Sequence, residues 1–146
     1  MNVHSRVLLT VAALITCMPL WAQQQGVDAR LDQLFGEHNP YRSFFQELKT
    51  AVAAQDRTRV AGMISYPLTV RIDGHPVKLR TPQELLAHYT QLLPASTQKA
   101  LAAQSYEALF VNSQGVMIGS GQIWFSGVCQ DERCSVRPIK IIAFNP

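Results

Sequence analysis

The sequence lacks the motifs that would assign a reaction to it. It has no Gly-x-Ser-x-Gly nucleophile elbow and no glycine-rich loop that could cradle a phosphate. The histidines after residue 22, which are His38, His75 and His88, show neither the His-x-x-x-His nor the His-Glu-x-x-His spacing of a metal site. The sequence therefore predicts no metal and no cofactor, and it favours a non-enzymatic role.

The sequence also has no large excess of positive or of negative charge. The formal net charge of the whole chain is +3, and Lys and Arg form no cluster. Proteins that bind nucleic acid usually carry a basic patch or stripe, so this balance argues against nucleic acid as a partner. No apolar run after residue 22 approaches the roughly 20 residues that a membrane span needs.

What the sequence does contain is an apolar leader. Arg6 precedes an apolar run over Val7–Ala22, and the polar stretch Gln23–Gln25 follows. This layout is typical of a secretory signal peptide over residues 1–22, cleaved after Ala22. A lipoprotein modified at Cys17 and an uncleaved anchor remain the alternatives. We expect a periplasmic or secreted protein.

Export changes the interpretation of the two remaining cysteines. Cys129 and Cys134 enclose the four polar residues 130–133. In an oxidising compartment such a pair is expected to form a structural disulfide. The spacing differs from the Cys-x-x-Cys of redox-active pairs, and no histidine lies nearby in sequence to complete a metal site.

The first two thirds of the exported part combine helices with one hairpin. Residues 23–39 are expected to form a loose arm or a short helix, and residues 40–146 a single α+β domain. Asp56 and Thr81 are predicted helix N-caps, with Glu84 completing a capping box after Thr81. The predicted elements are helices over 41–54, 57–64, 82–93 and 96–103 and strands over 68–72 and 75–79, the latter joined by Asp73-Gly74.

The last third alternates as antiparallel strands do. We predict strands over 108–111, 116–126 and 136–144. Gly119 and Gly121 fall inside the second of these, where glycines usually mark a bulge or a bend. The sequence therefore predicts α+β architecture with a strongly curved antiparallel sheet wrapped around the N-terminal helices as a cone.

This order of elements resembles the nuclear transport factor 2-like superfamily, which includes ketosteroid isomerase-like and SnoaL-like proteins. The resemblance covers about Tyr41 to Phe144 and rests on the element order, the Tyr66-Pro67 step and the glycine-rich strand with Trp124-Phe125. It implies a cone-shaped fold with a cavity, and a homodimer that pairs through the sheet. Because the fold carries enzymes and non-enzymes, it does not decide the function.

Four residues are candidates for a binding site. His88 and Tyr89, on the capped helix, are placed near the cone cavity, where His88 could act as a base. Gln122 and Trp124 are placed together on the outer face of the long strand, which suits a partner-binding surface. No Asp or Glu falls in a strand interior, which argues against the carboxylate base of ketosteroid isomerase.

The function expected from these observations is that of a small exported binding or accessory protein. Its partner would be a protein or a small ligand, bound through the cone mouth or the sheet face. Two alternatives stay open: a SnoaL-like or ketosteroid isomerase-like enzyme, and a periplasmic immunity or inhibitor protein. A titratable group inside the cone would favour the enzyme, and an interior filled with apolar side chains would disfavour it.

Overall fold

The computed structural model describes the backbone of residues 20–146 and the side chains of residues 26–146. Most of the expected signal peptide, including Cys17, lies outside the described residues. The described part is an α+β structure with helices and two antiparallel sheets. The elements are α1 Leu20–Phe35, α2 Asn39–Ala53, α3 Arg57–Gly62, β1 Leu68–Ile72, β2 His75–Leu79, α4 Pro82–Ala87, α5 Tyr89–Leu92, α6 Ala95–Ala103, a 3-10 helix Tyr106–Ala108, β3 Phe110–Asn112, β4 Gly115–Ile118, β5 Ile123–Gly127 and β6 Ile139–Phe144.

Helix α2 forms the centre of the helical layer. Pro40 occupies its first turn, where the missing backbone N–H costs nothing. Its apolar residues recur at helical spacing, so one stripe is buried while the opposite face stays polar. The Phe44 ring centroid lies 5.1 Å from that of Phe125 on β5, which fixes the helix against the larger sheet. The buried residues of the stripe are Tyr41, Phe44, Phe45, Leu48, Ala51 and Val52.

The first hairpin forms a sheet of its own. Strands β1 and β2 pair antiparallel from Leu68 with Leu79 to Ile72 with His75. Asp73 and Gly74 have φ values of 50° and 80°, the left-handed conformation that tight two-residue hairpin turns require. The predicted strand bounds are confirmed.

The second sheet overturns part of the prediction. Its four strands run in the order β3-β4-β5-β6, each antiparallel to its neighbour. The single strand predicted over 116–126 is wrong, because β4 ends at Ile118 and β5 begins at Ile123. Gly119 and Gly121 have φ values of 63° and 109°, and they lie in the turn between these two strands.

The cone was predicted from a bend at Gly119 and Gly121 inside one long strand, and the turn removes that bend. A Cβ atom on Gly119 would meet Oε1 of Gln122, whose side chain would have to move, and the left-handed φ of Gly119 strains any other residue. The glycines therefore reverse the chain rather than bend one long strand. The sheet is not strongly curved, and the coarser α+β description is what the structure confirms.

Both predicted N-caps are present. Asp56 Oδ1 accepts a hydrogen bond from the Arg59 backbone N–H at 3.0 Å, and Thr81 Oγ1 accepts one from that of Glu84 at 3.2 Å. The Glu84 carboxylate reaches back to the N–H of Arg80 at 2.7 Å. The helix predicted over 82–93 is divided, since α4 ends at Ala87 and α5 begins after His88.

Two further observations concern the ends of the molecule. Helix α1 packs on the domain through Val27 and Leu31, which are buried. At the tip between β5 and β6, Cys129 and Cys134 form the predicted disulfide, with their Cα atoms 4.6 Å apart. A disulfide is compatible with an oxidising, extracytoplasmic location. Within residues 20–146, no helix combines the length and the apolar character that crossing a bilayer demands.

Candidate functional site

The interior enclosed by the helices and sheets is packed with apolar and aromatic side chains. Among the residues with described side chains, the buried polar ones are Thr97 and Ser126. Neither is a general acid or base. No described carboxylate, imidazole, ammonium or guanidinium group is buried in the core. The titratable groups that the described interior does hold are the phenols of Tyr41, Tyr89 and Tyr106.

His88 lies at the break between α4 and α5 rather than in a cavity wall of the core. It is half-buried, and its Nδ1 lies 2.9 Å from Oε1 of Gln91. Gln91 in turn donates to Asp73 Oδ2 at 3.4 Å, which connects this corner to the β1–β2 turn. The arrangement ties the helix break to the hairpin, and it leaves His88 at the surface.

Tyr89 is directed into the core. Its side chain is 2% exposed, and its hydroxyl has no hydrogen-bond partner among the described residues. The Arg57 guanidinium carbon lies 5.1 Å from the centroid of its ring. Burial raises the pKa of the Tyr89 phenol, and the Arg57 charge opposes that rise. The phenol therefore stays neutral, so it is not a base.

Gln122 is part of the turn between β4 and β5. Its Oε1 accepts a hydrogen bond from the Ser120 backbone N–H at 2.6 Å, and its backbone carbonyl accepts one from Asn145 at 2.9 Å. Gln122 therefore lies just before β5 rather than inside the single strand predicted to carry both it and Trp124. The side chain of Gln122 holds the turn.

Trp124 belongs to a row of partly exposed apolar residues on the sheet face turned away from α2. The register pairs Phe110 with Met117, Met117 with Trp124 and Trp124 with Ala143, so the four side chains lie on one face. We call these four residues the outer row. Phe110 is 49% exposed and meets the Trp124 ring edge-on, with centroids 6.4 Å apart. The opposite face carries buried Val116 and Phe125, and it covers the core.

A polar cluster joins α1 to the rest of the domain. Asp28 accepts hydrogen bonds from Arg42 Nη2 at 2.5 Å and from the Tyr106 hydroxyl at 2.8 Å. His38 Nδ1 lies 2.8 Å from Oδ1 of Asp32. Burial and the Asp28 hydrogen bond both raise the pKa of Tyr106. Because these groups are paired with one another, the cluster fastens α1 rather than presenting a reactive group.

One motif-like spacing also falls on the surface. Ser96 and Lys99 match the Ser-x-x-Lys pattern of some serine acyl enzymes. Both are exposed on α6, and no hydrogen bond joins them. The companion Ser-Asp-Asn and Lys-Thr-Gly motifs are absent from the sequence. The pair therefore lacks the buried, mutually bonded geometry that activates a serine nucleophile.

The four predicted site residues are thus not brought together. His88 and Tyr89 flank the break between α4 and α5, Gln122 lies in a turn, and Trp124 lies on the outer face of the second sheet. Phe110 and Met117 were not among the candidates, although their alternation with Val111 and Val116 carries the signal. Their place beside Trp124 becomes visible only with the turn over residues 119–122, because that turn determines which side chains of β4 and β5 lie on the same face.

The arrangement defines a class: a small α+β protein whose apolar interior is filled and whose most distinctive surface is an apolar row. Among the described residues, no group of three or more His, Cys, Asp or Glu side chains could hold a metal ion. Comparison with protein-family models, with curated proteins and with solved structures finds no match.

Proposed function

We propose that this chain is an exported, non-catalytic binding or accessory protein that recognises a protein partner through the outer row. The observation that carries the proposal is the outer row itself, with Phe110, Met117 and Trp124 side by side on a flat antiparallel face. Aromatic residues and Met are enriched at the centres of protein interfaces, where they bury large areas with few degrees of freedom lost.

The filled interior supports a binding role over catalysis. Among the described residues, the core holds no carboxylate or imidazole that could serve as the base of a ketosteroid isomerase-like or SnoaL-like enzyme. The apolar leader in the sequence and the disulfide support a role in the periplasm or outside the cell. Membership of the nuclear transport factor 2-like superfamily remains part of the proposal, supported by the order of helices, hairpin, helices and antiparallel strands.

The proposal is tested by affinity capture of the tagged chain from its own cell envelope, followed by mass spectrometry. We expect a partner in stoichiometric amount, retained by the wild type and lost with Phe110→Ser and with Trp124→Ala. Val136→Ser is the matched control, since Val136 is apolar and 58% exposed but lies on the disulfide tip. Retention of the partner by both outer-row variants would overturn the proposal.

The outer row could instead bind a second copy of the same chain. Sedimentation equilibrium of the purified protein separates this outcome from the first. A dimer that dissociates with Phe110→Ser but not with Val136→Ser would identify the outer row as a homodimer interface, as the family resemblance implies.

A further inference from the structure

A separate feature, on the helical side of the molecule, is an open groove between the C-terminal half of α2 and the side of α6. Its volume is about 610 Å³, which is within the range of small-molecule sites. Ala53 and Ala102 contribute exposed apolar surface, the buried Val52 and Leu101 lie beneath it, and Gln55 and Gln98 contribute amide groups. The groove is distinct from the outer row, which lies on the other side of the second sheet.

The charge of the groove has one sign. Lys49 on α2 and Lys99 on α6 line it, and its lining contains neither Asp nor Glu. The C-terminal ends of α2 and α6 lie beside it, and each contributes a partial charge of about −0.5. The two ammonium groups are positive, and the two helix ends together offset about one of these charges. Roughly one positive charge therefore remains without a compensating carboxylate.

Lys49 is held in position at this site. Its Nζ donates hydrogen bonds to the carbonyl oxygens of Ala102 at 3.0 Å and Gln104 at 2.7 Å. The same nitrogen lies 5.4 Å from the centroid of the Phe45 ring. An ammonium group has three N–H donors, so one remains for a further acceptor. A cation that is already ordered loses little conformational entropy when an anion binds.

The amide groups define the other end of the groove. Gln55 Nε2 donates to Gln98 Oε1 at 3.0 Å, and Gln98 Nε2 donates to the Leu93 carbonyl at 2.8 Å. Because these side chains are bonded to each other across the two helices, they form a fixed wall. The groove also contains the exposed apolar side chains of Ala53 and Ala102.

From this arrangement we propose that the groove binds a small amphipathic anion, namely a monocarboxylate with an apolar body. The carboxylate takes the free donor of Lys49 and the charge of Lys99, and the apolar body covers Ala53 and Ala102. A monoanion matches the single uncompensated charge, whereas a neutral molecule of the same shape leaves that charge uncompensated.

Octanoate is the probe, and octanol is its neutral counterpart of equal chain length. Both are titrated into the full chain labelled with 15N and followed by amide chemical shifts. We expect octanoate to shift the amides of residues 49–55 and 98–102 at millimolar concentrations and octanol to bind more weakly. Raising the salt concentration should weaken octanoate binding, because salt screens exposed charges.

Two matched pairs of variants test the site. Lys99→Gln should weaken octanoate binding roughly threefold, whereas Lys78→Gln, at an exposed lysine on β2, should leave it unchanged. Ala53→Leu fills the groove and should abolish binding, whereas Ala54→Leu, just outside the lining, should not. Lys99 and Ala53 are exposed, so their replacement leaves the fold intact.

Three results would overturn the proposal. They are an absence of shifts at the groove amides, equal binding of octanol and octanoate, and equal loss with Lys99→Gln and Lys78→Gln. None of these results bears on the outer row, so the groove and the proposed partner-binding role are tested independently.

Discussion

At the residue scale, the buried aromatic residues carry most of the specificity of the core. Phe125 is fully buried, with ring centroids of Tyr41 and Phe44 at 6.3 Å and 5.1 Å. The sequence predicts that Phe125 lies in an apolar strand. It does not predict that the ring packs between the helix and the sheet. The partner rings come from a helix about 80 residues earlier, and no local pattern in the sequence encodes that pairing.

Phe125→Ala is expected to lower the free energy of unfolding by about 3–5 kcal/mol, since it removes a buried ring and leaves a cavity. Urea denaturation measures the change. Phe110→Ala is the control, because the side chain of Phe110 is about half exposed and its removal leaves no cavity. Similar losses in the two variants would contradict the placement of these residues on opposite faces of the sheet.

The phenol of Tyr66 gives a prediction that depends on pH. Burial raises its pKa from 10.0 to about 12, and its hydroxyl donates to the Ala61 carbonyl at 2.9 Å. The folded state therefore favours the neutral phenol. This contribution to stability is complete below pH 10 and is lost as the pH rises toward 12, because the unfolded chain ionises first.

The measurement compares urea denaturation at about pH 9 and about pH 11, on either side of the ordinary tyrosine pKa. We expect the wild type to lose stability between these values, and Tyr66→Phe to lose less. Phenolate absorbance at the higher pH should be lower in the folded chain than in urea. An equal loss in both proteins would mean that Tyr66 ionises normally in the fold.

At the element scale, the boundaries that local chemistry defines were predicted well. Asp56 and Thr81 begin helices as predicted, and Asp73-Gly74 joins β1 to β2 at the predicted residues. The bounds of β4 and β5 were not predicted, because two glycines two residues apart are compatible with a bent strand and with a turn. The choice depends on Gln122 closing the turn onto Ser120, which is a contact that the spacing alone does not encode.

Thr81→Ala tests the best-defined boundary. The change removes the acceptor for the Glu84 N–H, and we expect it to cost about 1 kcal/mol of stability in urea denaturation. Thr90→Ala, at an exposed threonine within α5, should change stability by less than about 0.5 kcal/mol. If the two variants behaved alike, the side chain of Thr81 would not be stabilising α4.

At the scale of the whole molecule, the α+β class and the antiparallel pairing could be read from the sequence, but the shape could not. The buried residues form one continuous cluster that includes α1, α2 and both sheets. How the sheets are oriented on the helices depends on packing between distant residues. For the same reason, the outer row and the groove between α2 and α6 were not predicted, since each combines residues far apart in the chain.

The continuous core predicts cooperative unfolding. A single domain with one cluster should lose secondary structure and tertiary packing together. We expect urea curves from circular dichroism and from tryptophan fluorescence to coincide in midpoint. In a chain that begins at Gln23, which removes Trp21, the fluorescence comes from Trp124 on the second sheet. An earlier fluorescence transition would then show that this sheet unfolds separately from the helices.

The edges of the second sheet have a consequence for the behaviour of the protein at high concentration. β3 has only three residues, and on the other edge Ile141 exchanges backbone hydrogen bonds with Met63 and Ser65, each at 2.9 Å. Long bare edges recruit further strands and lead to aggregation. Because one edge is short and the other is already paired, few backbone groups remain to which a strand from another chain could add. The second sheet can therefore expose the apolar outer row while resisting growth at its edges.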